Sequence, residues 1–372
     1  MAAILSSLLA HCETHNNKGR HINGKEFLLA LALGVDIASF LGISAKGELK
    51  FFRPATASGF GAIAALSKIQ KFSGEEIHNA LGIMYSQTCG NMQSHVEGVP
   101  ILGLQVGFNA KAALSSMDLT LAGFPGPKRV FNGEHGYFKL IENDNFDTRY
   151  LQDNIGKVWM VNQLAHKPYP SGRLTHGLVH AIRDLKSKHS LNKYDIISIE
   201  CLVPPGVYKL VARPLIDNLT TNYAKLCAKF VGASYMINGH LDIDSFTDQK
   251  YLTNPETLEF AEKITMIKNE NLDQKVLTPQ KFTFKLTNNK TIEINLDHVY
   301  GHPKAALSES EYLDKFHKCC LSSTKKIPKN KIDQMIDFIL DLENKKNVKI
   351  GRAHVWTPVT DVSRMPSSAW KK

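Results

Sequence analysis

Lysine, tyrosine, arginine and histidine crowd the eleven residues from His166 to His176, which read HKPYPSGRLTH. A lysine becomes a usable base when burial or neighbouring cations lower its pKa. A tyrosine hydroxyl donates a proton or hydrogen-bonds a carboxylate. Pro168 and Pro170 fix an extended loop, and a helix expected to open near Ser171 presents free backbone N–H groups to an anion. Lys167 and His176 are therefore candidates for proton transfer, and Tyr169 and Arg173 for carboxylate binding. A charged loop at a domain boundary has the same composition, so pattern alone leaves both readings open.

Two further clusters carry usable groups. In FFRPATASGFGA, residues 51–62, Arg53 precedes a glycine-rich helix start and has the fork that clamps a carboxylate; an exposed arginine ahead of a helix is the plain alternative. In QSHVEG, residues 93–98, His95 and Glu97 form an acid/base-capable pair, set against a solvated polar loop. No third ligand lies at helical spacing, so no metal site is expected. The six cysteines form no CxxC pair, which argues against zinc and iron–sulfur centres; free buried thiols in a reducing cytosol are expected. GFGAIAA lacks the strand and spacing of a phosphate-binding loop. No cofactor is implied.

The elements that position these residues are mostly helical. Lys25 to Leu41 places apolar residues at 27, 28, 31, 35 and 38, a helical face. Gly59 to Phe72 is rich in small residues and should pack closely against a neighbour. Ser73 and Glu76 are spaced as a capping box for a helix from Gly74. Leu104 to Leu121 reads as a long helix closed by Gly123 and Pro125. After Tyr169 the character changes. Tyr194 to Val203 has strand composition, Pro255 to Met266 reads as helix, and Phe282–Leu286 with Thr291–Ile294 flank Asn288-Asn289 as a hairpin. Helical spacing returns at Ser308 to Cys320 and Lys331 to Leu342. The expected fold is mostly α: a large helical domain formed by both chain ends, 1–164 and 299–349, with a smaller α+β lid inserted at 165–298. A cleft between two such domains is a common place for a small-molecule site.

The chain has 372 residues, 43% hydrophobic and 22% charged, an ordinary globular balance that excludes wholesale disorder. Its net charge of +10 is spread along the sequence. That suits a small anionic substrate rather than a nucleic acid, and the run Lys325 to Lys331 reads as a solvated helix start. No apolar run reaches the roughly 18 residues of a membrane span, and Ala2 to Ala10 lacks the basic flank of a signal peptide; a cytoplasmic location without membrane contact is expected. The C-terminal IGRAHVWTPVTDVSRMPSSAWKK is polar and aperiodic and resembles translated sequencing adapter, so residues 350–372 are set aside. Met1 opens into an apolar helix with no cap before it, which reads as a fragment cut at its start.

The landmarks GKEFLLALALGVDI at 24–37, RPATASGFGAIAAL at 53–66, GFNAKAA at 107–113, AGFPGP at 122–127, KPYPSGRLTH at 167–176 and HPKAALSESEYLDKF at 302–316 occur in this order. Through about residues 20–349 the chain resembles the MmgE/PrpD family, which includes 2-methylcitrate dehydratase and cis-aconitate decarboxylase. The resemblance implies a helical domain with an α+β lid, homodimers, no iron–sulfur cluster, and metal-free acid/base chemistry on a small di- or tricarboxylate. Dehydration needs a base for a C–H proton beside a carboxylate and an acid for the departing hydroxyl, with cationic groups on the carboxylates. Lys167 matches the family's lysine at the start of the lid; Tyr169 and His176 sit in the same motif. Elsewhere the chain departs. Arg53 stands where a histidine is usual, Leu102 near a usual lysine, and Gly172 replaces a frequent cysteine; the family's upstream aspartate and histidine would precede Met1. The leading expectation is a hydro-lyase. An epimerase or isomerase, and a non-catalytic carboxylate-binding homologue, stand beside it.

Overall fold

A computed structural model describes residues 1–17, 21–273 and 275–348. The segment 350–372 lies outside the described residues. The described residues divide into two compact units: those of 1–92, 101–161 and 327–348 form the first, and those of 93–100 and 162–326 form the second. The expected domain limits differ from this at two places. Residues 93–100 and 299–326 both cluster with the second unit.

The first unit is helical. Helices α1 (Ala2–Asn17), α2 (Gly24–Ser44), α3 (Arg53–Gln70), α4 (Gly74–Gln87) and α6 (Ile101–Leu121) build it, while the short α5 (Gln93–Glu97) belongs to the second unit. Capping boxes open α2 at Asn23/Glu26 and α4 at Ser73/Glu76, each satisfying two backbone donors that the first turn leaves free. Along α3 nearly every residue from Ala55 to Ile69 is buried, as befits a central helix covered on several sides. Its small residues allow close approach: a Cβ built on Gly61 would lie 2.3 Å from the Gly34 carbonyl oxygen of α2. Expectation and structure differ on α2 in one respect. It is 21 residues long with an 18-residue window of mean hydropathy 2.1, so by length and composition it is apolar enough to span a membrane. In the first unit its Phe27, Ala30, Val35, Phe40 and Leu41 are buried against neighbouring helices.

The second unit is α+β. Strands β1 (Ile196–Val203), β2 (Ile264–Lys268), β3 (Gln280–Leu286) and β4 (Thr291–Leu296) form one sheet in the order β2-β1-β3-β4. β1 runs parallel to β2 and antiparallel to β3, and β3–β4 is the expected hairpin. Alternate residues of β1 and β3, among them Ile199, Cys201, Phe282 and Phe284, point to the core. There they meet Leu178, Ile182 and Leu185 of the helix His176–His189. The stretch expected as helix from Pro255 to Met266 is helix only to Glu262 and becomes β2 after a one-residue link. Ile264, Met266 and their neighbours are β-branched or long apolar residues whose strand pairing with β1 outweighs continuation of the helix.

Candidate active site

A pocket of about 440 Å³ lies in the second unit. Five segments supply its chemistry: the loop Lys167–Pro170, Arg183 from the helix His176–His189, the stretch 239–243 with Asp242, Tyr300 from the stretch after β4, and the helix Glu309–Leu321 with Glu311, Lys315 and Lys318.

Backbone geometry sets the loop. The His166 N–H donates to Gly301 O at 2.7 Å. Gly301 has φ +92°, and a Cβ there would come within 2.1 Å of the His166 carbonyl oxygen, so only glycine lets the two strands of chain lie this close. The Lys315 ammonium donates to Lys167 O at 2.5 Å. The Lys167 side chain is exposed overall, yet its ammonium is partly desolvated and has Arg173 and Lys315 nearby, and all three effects lower its pKa. No ion pair among the described residues engages Lys167 or Lys315.

Glu311 is the organising carboxylate. Ser308 caps the helix Glu309–Leu321, and its N–H donates to Glu311 Oε2 at 2.8 Å. Arg183 Nη2 donates to Glu311 Oε1 at 3.0 Å, and its guanidinium lies 4.2 Å from the centroid of the Tyr300 ring, a cation–π distance. Burial pushes the Glu311 pKa up, but hydrogen bonds from Tyr300 and Ser308 and the Arg183 charge outweigh it and hold the carboxyl at about 2. Lys318 pairs with Asp242 at 3.3 Å. Asp314 also lines the pocket. Tyr169 stands between Tyr235, 5.8 Å between centroids, and His176, 5.3 Å edge-on. Burial first, and then Tyr235, push its hydroxyl pKa well above the usual range, so it stays a proton donor at neutral pH.

Of the seven residues singled out from sequence, Lys167 and Tyr169 line this pocket. His176 does not. It is fully buried, its Nε2 has no hydrogen-bond partner, and burial together with Arg173 and Lys167 lowers its pKa to about 3. It packs behind Tyr169 as a neutral ring. Arg173 donates to the carbonyls of Tyr300, at 2.5 Å, and Val299, at 3.0 Å, and so braces the loop carrying Tyr300. The helix expected near Ser171 instead begins as a 3-10 turn at Arg173–Thr175.

The other three lie elsewhere. Arg53 is engaged with Glu142, Nη2 to Oε2 at 2.7 Å and Nε to Oε1 at 3.1 Å. Glu142 also accepts from Tyr137 OH at 3.0 Å, and Tyr137 meets Thr56 at 3.2 Å. The expected carboxylate clamp thus holds a carboxylate of the chain itself. His95 and Glu97 sit on α5, a helix rather than a loop. The Arg213 guanidinium donates to His95 Nδ1 at 2.9 Å, and burial and that charge lower the His95 pKa to about 4. Glu97 is exposed and accepts from Gln93 at 2.6 Å. The cysteines divide: Cys12, Cys201 and Cys227 are buried as expected, but Cys89 and Cys319 are exposed.

Arg183, Tyr300, Glu311 and Lys315 escaped the sequence reading. Arg183 and Lys315 sit on amphipathic helices, where a charge every third or fourth residue reads as a solvated face. The landmark HPKAALSESEYLDKF already held Glu311 and Lys315, and the capping spacing Ser308-x-x-Glu311 was its local signal.

Similarity supports this framework. A family model for the MmgE/PrpD N-terminal domain matches residues 1–149, and one for the MmgE/PrpD C-terminal domain matches residues 169–339. The cis-aconitate decarboxylase-like protein oryM of Aspergillus oryzae is 22% identical over 374 residues, spanning 93% of this chain and 75% of that protein. A cis-aconitate decarboxylase of Aspergillus terreus is 22% identical over 362 residues, spanning 91% and 72%. With both family domains matched in order along one chain, the protein belongs to the MmgE/PrpD family.

Proposed function

We propose that this protein is a lyase acting on a small di- or tricarboxylic acid, with the Lys167 pocket as its site. Family membership supports lyase chemistry on small carboxylic acids. The observation that carries the reading is the Lys315 hydrogen bond to the Lys167 carbonyl, which brings a second lysine to an amine whose pKa desolvation, then Arg173 and then Lys315 lower, with the pocket's Glu311 and Asp242 already paired with Arg183 and Lys318. A substrate carboxylate satisfies Lys315. Lys167, shifted toward its neutral amine, takes the proton from the carbon beside that carboxylate. The Tyr169 hydroxyl gives its proton to the departing hydroxyl, which leaves as water, and the C–H electron pair becomes the new double bond. His176 and Arg173 hold Tyr169 and Tyr300 in place.

A second reading is decarboxylation, favoured by the names of the relatives. There the C–C bond to a carboxylate breaks, carbon dioxide leaves, and a proton is delivered to the carbon it leaves behind. Incubation with a panel of polycarboxylates in deuterated water, followed by NMR, separates the outcomes. Loss of water gives the alkene acid. Loss of carbon dioxide gives a product one carbon shorter with deuterium at the vacated position. Exchange without net change marks an epimerase. Lys167→Ala is expected to abolish turnover at unchanged thermal stability; near-normal turnover in that variant would remove Lys167 from its role.

A further inference from the structure

A second cavity, about 850 Å³ and roughly twice the volume of the Lys167 pocket, lies within the first unit. Its walls come from α2, α3, α4 and the segment 131–155. Ile37, Leu41, Leu81, Phe131, Phe146 and Ile155 make it apolar and partly aromatic. Two charged residues line it, Lys68 in the last turn of α3 and Lys71 at its C-cap. No carboxylate does, and the remaining polar groups are neutral, Asn132, Thr148 and Gln152 among them. Both lysines are exposed, and no ion pair among the described residues engages either.

This volume falls in the range of small-molecule sites. A polycarboxylate has no apolar body to place against these walls, and a neutral oil has nothing for the lysines. We infer that the cavity binds a single-chain carboxylate amphiphile of the fatty-acid class, its chain along the apolar walls and its head at Lys68 and Lys71. Charge complementarity favours this occupant over a second copy of the chain. A twofold pairing of the face uses the same patch on both sides, so it would turn lysines toward lysines with no carboxylate on the patch to meet them. The chain's burial supplies the affinity, at the usual gain per buried methylene, and the lysines supply selection for the anion.

Calorimetric titration of the full chain with sodium dodecanoate below its micelle concentration tests the inference, with dodecanol and butanoate as comparators. One saturable site for dodecanoate and no measurable binding of butanoate are expected. The double variant Lys68→Glu/Lys71→Glu should weaken dodecanoate about tenfold while leaving dodecanol unchanged. Gln152→Trp, at an exposed rim position, should block both, and Ile155→Trp serves if that variant fails to fold by circular dichroism. Absence of saturable dodecanoate binding overturns the inference, as does binding indifferent to both tryptophans. Equal weakening of dodecanoate and dodecanol by the lysine variant overturns the assignment of the head group. Self-association in sedimentation that Leu81→Glu abolishes would place a second copy on this face instead.

Discussion

The side-chain ammonium of Lys315 donates to the main-chain carbonyl of Lys167, which ties the helix Glu309–Leu321 to the loop that carries the candidate base. The contact does two jobs. It fixes the loop, and it brings a second lysine near the Lys167 amine, whose pKa desolvation, then Arg173 and then Lys315 lower. A base with a lowered pKa is deprotonated at lower pH, so turnover should rise with pH through the depressed Lys167 value and then level. Removing the cation must raise that value. Lys315→Met is therefore expected to move the ascending limb of the kcat/KM profile to higher pH, and to raise KM because a carboxylate partner is lost. A profile shifted to lower pH, or not shifted at all, would separate Lys315 from Lys167 electrostatically.

Arg53 illustrates how far the residue types alone can mislead. Its bidentate geometry was legible and is present, but the partner is Glu142, 89 positions away, and no local pattern announces it. Glu142 is 3% exposed, and breaking a buried pair strands the remaining charge at a cost of about 3 kcal/mol. Arg53→Ala should lower stability by roughly that amount in urea unfolding, leaving KM unchanged in the protein that remains folded. A large rise in KM at unchanged stability would restore the substrate-clamp reading.

Much of the fold was legible for a different reason. The capping box at Ser73/Glu76, and the hairpin around Asn289 with its positive φ of 63°, are set by residues within four positions of one another. β2 was not legible. Its five residues follow a helix directly, and only pairing with β1, more than sixty residues earlier, makes them a strand. The pocket divides the same way. Lys167 and Tyr169 lie in one short motif, whereas Arg183, Tyr300 and Lys315 reach it from three separate elements.

His176 has the side chain of a proton-transfer group, and its complete burial makes it a source of acid sensitivity instead. Folding lowers its pKa from 6.5 to about 3. Between those values the unfolded chain binds a proton that the folded chain excludes, so stability rises with pH there and falls as pH drops. The slope from one such group is at most about 1.4 kcal/mol per pH unit. His95, lowered to about 4, adds to it over the upper part of the window. His176→Gln should flatten the stability curve between pH 6 and pH 4 by close to one proton, measured from urea midpoints. An unchanged slope would mean that other groups dominate the acid response.

The close approach of α2 and α3 makes a prediction with an internal control. A Cβ on Gly61 of α3 meets the Gly34 carbonyl oxygen at 2.3 Å, with Ile4 Cδ1 at 2.9 Å and Ala38 Cβ at 3.0 Å. A carbonyl in a neighbouring helix cannot rotate away, so α2 and α3 must part. Overpacking of this kind costs about 1–3 kcal/mol, against about 1 kcal/mol gained when alanine replaces glycine within a helix. Gly107 of α6 is exposed, and a Cβ there meets nothing within 4 Å, so only the gain applies. Gly61→Ala should therefore lower the unfolding free energy, and Gly107→Ala should raise it by about 0.5–1 kcal/mol. Thermal unfolding of the two variants checks both signs. Stabilisation by Gly61→Ala would show that the α2–α3 contact is looser than the Gly34–Gly61 approach requires.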